Sequence, residues 1–314
     1  MTLNPHAYTF ERVTAKNLPD LVKIFKESRE IDISIDELLK KYQTGFCGEG
    51  LFGYFAYAEN GDPAAFYGIF PSYVKLNGLK VLAAQTGDVI THKDHQRKGL
   101  FIQVAEKTAE LARISGIELL WGVPNENSSP GFLKNLHWRE TNKMRVFSIS
   151  VKGIPVFRIL NKLKLNRLYL QWISKIEKHY FLNKNLFKGP IMIGSEDALW
   201  KDAEFNHYKN YSSSFFIKYK GLNIWAKTDD VLCIGDMENP LNILPAQVLI
   251  ILKKLCRLVG LNAIQFEMSP NSYWHVQLEQ VYKSVSGGPI CFFPISVNSE
   301  KFDVQLTGSD IDIF

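Results

Sequence analysis

Apolar residues along the first 150 positions switch between a helical and a strand-like period. From Asn17 to Ser28, Leu18, Leu21, Val22 and Phe25 fall at helical spacing, with Asn17 at the N-cap position and Pro19 in the first turn. A second short helix fits Ile35 to Tyr42. Leu51 to Tyr57 then runs as a strand, Asn60-Gly61-Asp62-Pro63 supplies a turn, and Ala64 to Phe70 pairs back, which predicts a hairpin. Tyr73 to Leu76, the Asn77-Gly78 turn and Lys80 to Ala84 repeat the pattern, and Gly87 to Thr91 continues in strand. The next helix is predicted from Lys98 to about Ser115, with Phe101, Val104, Ala105, Thr108, Leu111 and Ala112 on one face and Gly116 as its stop. Ile117 to Val123 reads as a buried strand closed by Pro124. A short helix and a strand from Met144 to Val151 complete this half.

The later sequence echoes the earlier one. Arg113 to Trp138 and Arg257 to Tyr282 both carry a helix ending in Gly (Gly116, Gly260), a strand, a Pro/Asn/Ser-rich break and a short helix ending at an aromatic residue. Only residue classes match, so the echo predicts either a duplicated fold unit or two independent helix-strand-helix units.

Composition and charge narrow the picture. The 314 residues suffice for about two domains, and 46% hydrophobic content excludes disorder, collagen and small disulfide scaffolds. The longest strongly apolar run, Val248 to Leu252, stops at Lys253 and Lys254, far short of the roughly 20 residues that cross a bilayer. Met1 to Phe10 lacks the basic-then-apolar plan of a secretory leader, so a cytoplasmic chain is expected. Cys47, Cys233, Cys256 and Cys291 are widely spaced and read as reduced thiols rather than a zinc site. The net charge of +5 is concentrated in one segment: Lys152 to Lys188 holds nine basic residues and one acid, Glu177. Phe157, Leu160, Leu163 or Lys164, Leu168, Trp172 and Ile176 form a helical stripe there, which predicts one or two amphipathic helices packed between domains. Contact with a membrane surface or RNA is the alternative use of this segment; no DNA partner is expected.

Chemistry concentrates in Gly87 to Gly99, GDVITHKDHQRKG, between a strand and a helix. A basic, glycine-bearing loop entering a helix N-terminus gathers unpaired N–H groups and the positive end of the helix dipole, so it suits a phosphate. Gln96, Arg97, Lys98 and Gly99 would form that cradle, and the plain alternative is a solvated loop. His92, Asp94 and His95 lack a spaced further ligand, so no metal site is expected. Gly48-x-Gly50-x-x-Gly53 matches a dinucleotide fingerprint but leads into a strand rather than a helix.

The run Gln96-Arg97-Lys98-Gly99-Leu100-Phe101, with the following helix, Gly116, strand and Asn-rich break ending in His137-Trp138, resembles the coenzyme A loop and surroundings of the GNAT acetyltransferase superfamily over residues 8 to 150. Phe101 stands where the family has a small residue, and His137 where it usually has Gly. The resemblance implies an α/β (α+β) fold of tandem GNAT-like domains, each a mixed, mostly antiparallel sheet flanked by helices. The expected bounds are a GNAT domain over 1–151, a basic helical linker over 152–188 and a degenerate GNAT-like domain over 189–314. It also implies acetyl-CoA as co-substrate, with backbone at Ile90 and Thr91 on the pantetheine and thioester, Gln96, Arg97, Lys98, Gly99, Leu100 and Phe101 on the pyrophosphate, and Asn127 as a further contact. Asp88 is the first candidate base and Glu126 the next. Leu133 stands where the family's acidic Tyr is usual, leaving Ser128, Ser129, Tyr67 or unaided departure of the thiolate.

Three functions follow: acetyl transfer to a primary amine of a small molecule or amino sugar, aminoacyl transfer from aminoacyl-tRNA as in peptidoglycan-ligating enzymes, and coenzyme binding without catalysis. The acidic stretch Met237 to Asn242, where the echo would place a second loop, predicts a single coenzyme site in the first domain.

Overall fold

The computed structural model describes residues 8–189, 197–211, 214–296 and 303–311. The opening segment is therefore described only from Tyr8. The chain divides into two compact units, Met1–Thr141 with Ile290–Phe302 and Asn142–Pro289 with Asp303–Phe314.

The elements in chain order are β1 (Tyr8–Arg12), α1 (Leu18–Arg29), α2 (Ile35–Lys41), β2 (Phe52–Ala58), β3 (Pro63–Leu76), β4 (Leu79–Thr91), α3 (Leu100–Ile114), β5 (Leu119–Gly122), a π-helical turn (Gly131–Asn135) and β6 (Arg139–Ser150). There follow α4 (Val156–Lys162), α5 (Asn166–His179), β7 (Ala198–Leu199), α6 (Ala203–Tyr208), β8 (Ser214–Tyr219), β9 (Leu222–Thr228), β10 (Leu232–Glu238), α7 (Pro245–Leu258), β11 (Ala263–Met268), α8 (Tyr273–Glu279) and β12 (Val285–Pro294).

In the first unit the strand order is β1-β2-β3-β4-β5-β12. Only β4 and β5 run parallel; β12 reaches β5 antiparallel through Cys291 to Pro294. Two cores cover its two faces, as the period-2 alternation of strands requires. Ala65, Tyr67 and Ile69 of β3 face α3, whereas Phe66 and Phe70 face α1 and α2. Asn17 occupies the N-cap position of α1 without capping it: its side chain instead accepts from the Thr14 N–H and donates to the Arg12 carbonyl. The two hairpins expected from sequence merge, because Ala64–Phe70 and Tyr73–Leu76 are one strand. Pro71 does not interrupt it: it stays in register opposite Ala84 of β4, beyond the point where β2 ends opposite Ile69, so no β2 ladder bond is lost there.

In the second unit the order is β6-β11-β10-β9-β8. Here β10 and β11 form the parallel pair, α7 connects them, and Gly260 (φ 70°) ends that helix region as Gly116 (φ 76°) does in the first unit. The order of antiparallel strands, helix and parallel strand thus recurs at the echo.

The structure divides the chain differently from the continuous bounds 1–151, 152–188 and 189–314. Residues 142–151 and both linker helices belong to the second unit, and part of β12 returns to the first. Tyr169, Ile173 and Ile176 are buried in the second unit's core, with Phe157, Leu160 and Trp172 packed against it. Leu163 and Leu168, placed in the stripe from sequence, are exposed instead. The cause is the break between α4 and α5, where Lys164 takes φ 58°: the second helix restarts the phase and Tyr169 replaces Leu168 on the buried face. The Tyr169 hydroxyl donates to the Val259 carbonyl at 2.9 Å, fixing α5 to the end of α7.

Candidate active site

The site begins with one extra residue in β4. Phe66 pairs with Ile90 and Gly68 with Gly87, so Tyr67 alone stands opposite Asp88 and Val89. This β-bulge reverses the alternation of β4. Leu82 and Ala84 face α3, but beyond the bulge Ile90 packs with α1 and α2 and Val89 takes the α3 side. Asp88, at φ 55°, is turned toward α2. Its Oδ1 accepts from Lys41 Nζ at 2.7 Å and its Oδ2 from the Tyr42 hydroxyl at 3.1 Å. Each carboxylate oxygen keeps a lone pair for another donor. Tyr42 reaches this position over Gly68: a Cβ there would stand 2.3 Å from the Tyr42 hydroxyl. An open cleft of about 570 Å3, lined by Leu39, Tyr42, Gly50 and Leu51 among others, lies beside Tyr42. Lys41, Tyr42 and Gly68 were not read from the sequence. Their only trace is the Leu38/Tyr42 spacing, which puts both residues on the buried face of α2.

After β4 the chain is held before it reaches the basic loop. The His92 N–H donates to the Ala64 carbonyl, and Nδ1 of His95 shares a hydrogen bond with the Tyr8 hydroxyl at 2.9 Å. Burial, aided by the charges of Lys98 and His92, lowers the pKa of His95 below the ordinary histidine value, so the ring favours its neutral form. Gln96, Arg97, Lys98 and Gly99 then lie exposed immediately before α3. Arg97 (φ 60°) and Gly99 (φ 71°) are both left-handed, a loop shape that gathers successive backbone N–H groups. Leu100 is buried and anchors the first turn of α3. The ring of Phe101 leaves the loop and packs 5.6 Å from Phe132 and 6.1 Å from Tyr67. A Cβ on Gly131 would come within 3.0 Å of that ring, so the large residue at 101 is matched by a glycine across from it.

The parallel pairing of β4 and β5 covers only Ala83 to Gln85 against Leu119 to Trp121. Beyond it β4 runs on to Thr91 with β3 alone, and β5 ends at Gly122. Ile90 is buried and Thr91 half-buried on this stretch, which pairs with β3 on one side and whose Val89 carbonyl accepts from Arg29 Nη2 at 2.7 Å. Glu126 and Asn127 are exposed beyond β5, where the Asn127 N–H donates to Asn125 Oδ1 within a turn. The structure brings neither of them into contact with Asp88. Tyr67 lies opposite the bulge and lines a second cleft with Leu120, Leu136 and Trp138. Burial raises its phenol above the ordinary tyrosine range, so the hydroxyl keeps its proton at neutral pH. Ser128 is tied to Asn125. His137 adopts φ 56°, the conformation that glycine takes most easily, and Trp138 behind it is buried against Phe132.

Residues 47–141 match the family model described as an acetyltransferase (GNAT) domain. This stretch is a GNAT domain. It contains the β4 bulge, the basic loop, α3 and β5 together. Among solved structures, the GCN5-related N-acetyltransferase from Kribbella flavida is similar over 92% of this chain and 72% of its own, at 12% identity and TM-score 0.58. A putative acetyltransferase from Pyrococcus horikoshii is similar over 97% and 95% of the two chains, at 13% identity and TM-score 0.53. Saccharomyces cerevisiae N-myristoyltransferase with bound myristoyl-CoA is similar over 93% and 83%, at 8% identity and TM-score 0.55. These likenesses establish the GNAT fold. No curated protein matches the chain. The GNAT domain and fold support an acyltransferase.

The bulge has a counterpart in the second unit. Ile234 pairs with Ala226 and Asp236 with Trp225, leaving Gly235 as the extra residue of β10. Asp236 is buried and ion-paired to Lys201, which also reaches Asp310 Oδ1 at 2.7 Å and donates to Thr307 and Ser309 at 3.0 Å each. Among the described residues, no group of three or more His, Cys, Asp and Glu is arranged to hold a metal ion.

Proposed function

We propose that the GNAT domain transfers an acyl group, acetyl in the simplest case, from its coenzyme A thioester to a primary amine of a small molecule or amino sugar. The observation that carries this reading is the sequence of short parallel pairing, bulge at Asp88 and left-handed basic loop at the start of α3. The loop suits the coenzyme because Arg97 and Lys98 are exposed cations beside backbone N–H groups, and Gly99 adds no Cβ. Gln96 to Phe101 would hold the pyrophosphate, the stretch of β4 at Ile90 and Thr91 the pantetheine, and Asn127 a further part of the coenzyme.

The thioester supplies an activated acyl carbon. The acceptor enters from the α2 side, where Asp88, oriented by Lys41 and Tyr42, takes a proton from the substrate ammonium. The freed amine forms its bond to the acyl carbon as the carbon–sulfur bond breaks, and the second N–H proton that the nitrogen then sheds balances the proton delivered to the departing sulfur, so the products are an amide and the coenzyme A thiol. Tyr67, kept protonated by burial, is the candidate donor to the departing sulfur. Glu126, exposed and outside this constellation, is the weaker candidate base.

Calorimetric titration with acetyl-CoA tests the coenzyme site. Arg97→Glu with Lys98→Glu is expected to weaken binding by more than about tenfold, because charge-assisted contacts become repulsive. Unchanged affinity would overturn the loop assignment. A panel of amines and acyl-CoA chain lengths, followed by mass spectrometry, tests the transfer. Binding without any product would leave a coenzyme-binding protein rather than a transferase.

A further inference from the structure

Outside the GNAT domain, the corner between α4 and α5 presents exposed leucines among basic residues. Residues 161 to 168, Asn-Lys-Leu-Lys-Leu-Asn-Arg-Leu, are all exposed. Leu163 is 61% exposed, Leu165 40% and Leu168 52%, and Ile159, one turn before Leu163, is 46% exposed. Single exposed leucines are ordinary, but four large apolar side chains around one corner form a patch.

The corner is held in a defined shape. The Leu165 N–H donates to the Leu160 carbonyl at 2.8 Å and the Lys164 N–H to the Asn161 carbonyl at 3.0 Å. Asn166 Nδ2 donates to Asn161 Oδ1 at 3.0 Å. Behind it Leu160, Tyr169 and Ile173 anchor both helices to the second unit's core. The leucines are therefore displayed by the fold.

Charge selects what covers them. Lys162, Lys164 and Arg167 alternate with the leucines, and none has an acidic partner among the described residues. The neighbouring Arg158 meets Asp230 only at 4.0 Å. A surface that offers apolar side chains between unpaired cations suits a layer with anionic groups over hydrocarbon. Nucleic acid fits less well, since the corner has no aromatic side chain on which a base could stack.

We infer that the α4–α5 corner docks on an anionic lipid surface, with Leu163, Leu165 and Leu168 entering the headgroup boundary and Lys162, Lys164 and Arg167 pairing with lipid phosphates. This is peripheral attachment: among the described residues no helix is long and apolar enough to cross a membrane. The inference does not depend on acyl transfer.

The test is co-sedimentation of the full chain with phosphatidylcholine vesicles, with and without one-third phosphatidylglycerol. The chain is expected to sediment with the anionic vesicles at low salt and to be released as salt rises. Lys162→Gln with Lys164→Gln and Arg167→Gln should weaken binding by roughly fivefold per charge. Leu163→Ser with Leu165→Ser and Leu168→Ser should weaken it at every salt concentration. Circular dichroism should show both triple variants folded, since all six side chains are exposed. Failure to sediment at low salt, or leucine variants that bind like the parent, would overturn the inference. So would a self-associated chain that the leucine substitutions render monomeric, or single-stranded RNA bound through the cations with no vesicle binding.

Discussion

Each unit has a β-bulge just beyond a short parallel strand pair, and each bulge presents an aspartate to a lysine. In the first unit Asp88 meets Lys41 and Tyr42 beside an open cleft, and the chain continues into a basic loop and α3. In the second, Asp236 meets a Lys201 that is shared with Asp310, Thr307 and Ser309. The chain then passes through Glu238, whose carboxylate accepts from the Lys188 and Gly189 N–H groups. The same backbone device thus serves a carboxylate beside an open cleft in one unit and a fully buried, ion-paired cluster in the other. Burial opposes the charge on Lys201, but the two carboxylates outweigh it and raise its pKa. A fold position therefore does not by itself define a chemical site; the groups arranged around it do.

The largest expected effect tests that contrast. Lys201→Met leaves two buried carboxylates without their cation and should cost about 3–5 kcal/mol in denaturant unfolding. Lys41→Met, which leaves Asp88 its Tyr42 hydrogen bond, should cost only about 1–3 kcal/mol. Equal losses would mean that the two bulges are energetically alike. Next, Gly68→Ala should push the Tyr42 ring from Asp88, costing about 1–3 kcal/mol by overpacking and lowering any transfer rate. Adding Tyr42→Phe should recover only part of the stability, because the Phe66 ring and the Gly87 carbonyl still crowd the new Cβ, and none of the rate, measured by melting temperature and turnover. The smallest effect concerns Glu267 on β11, whose pKa is raised by burial alone. Its folded state is penalised as pH rises from the unfolded value through the folded one. Glu267→Gln should therefore raise the melting temperature at neutral pH and have little effect below the ordinary carboxylate range.

Much of this was legible in the sequence because it rests on local signals. The helical spacing around Leu21 and Val104, the left-handed stop at Gly116, and the basic loop before α3 are each short-range features. The bulges were not legible. From Val81 to Ile90 small and apolar residues serve both faces, so alternation carries no phase from which one extra residue could be detected. Asp88 could be singled out as an acid, but its partners Lys41 and Tyr42 lie 47 and 46 positions away. Nor does local spacing reveal that α4 and α5 change phase at Lys164, or that β12 serves two units.

That last strand changes what can be cut from the molecule. Because the segment from Ile290 to Phe302 is grouped with the first unit and β12 pairs with β5 through Cys291 to Pro294, the first unit is not a contiguous stretch of the chain. A chain stopped at Thr141 would leave the backbone of Leu119 to Gly122 as an open edge, a template for indiscriminate pairing. A circular permutant carrying the β12 segment near its own terminus could supply the missing strand in cis, and is the form in which the first unit should be sought alone.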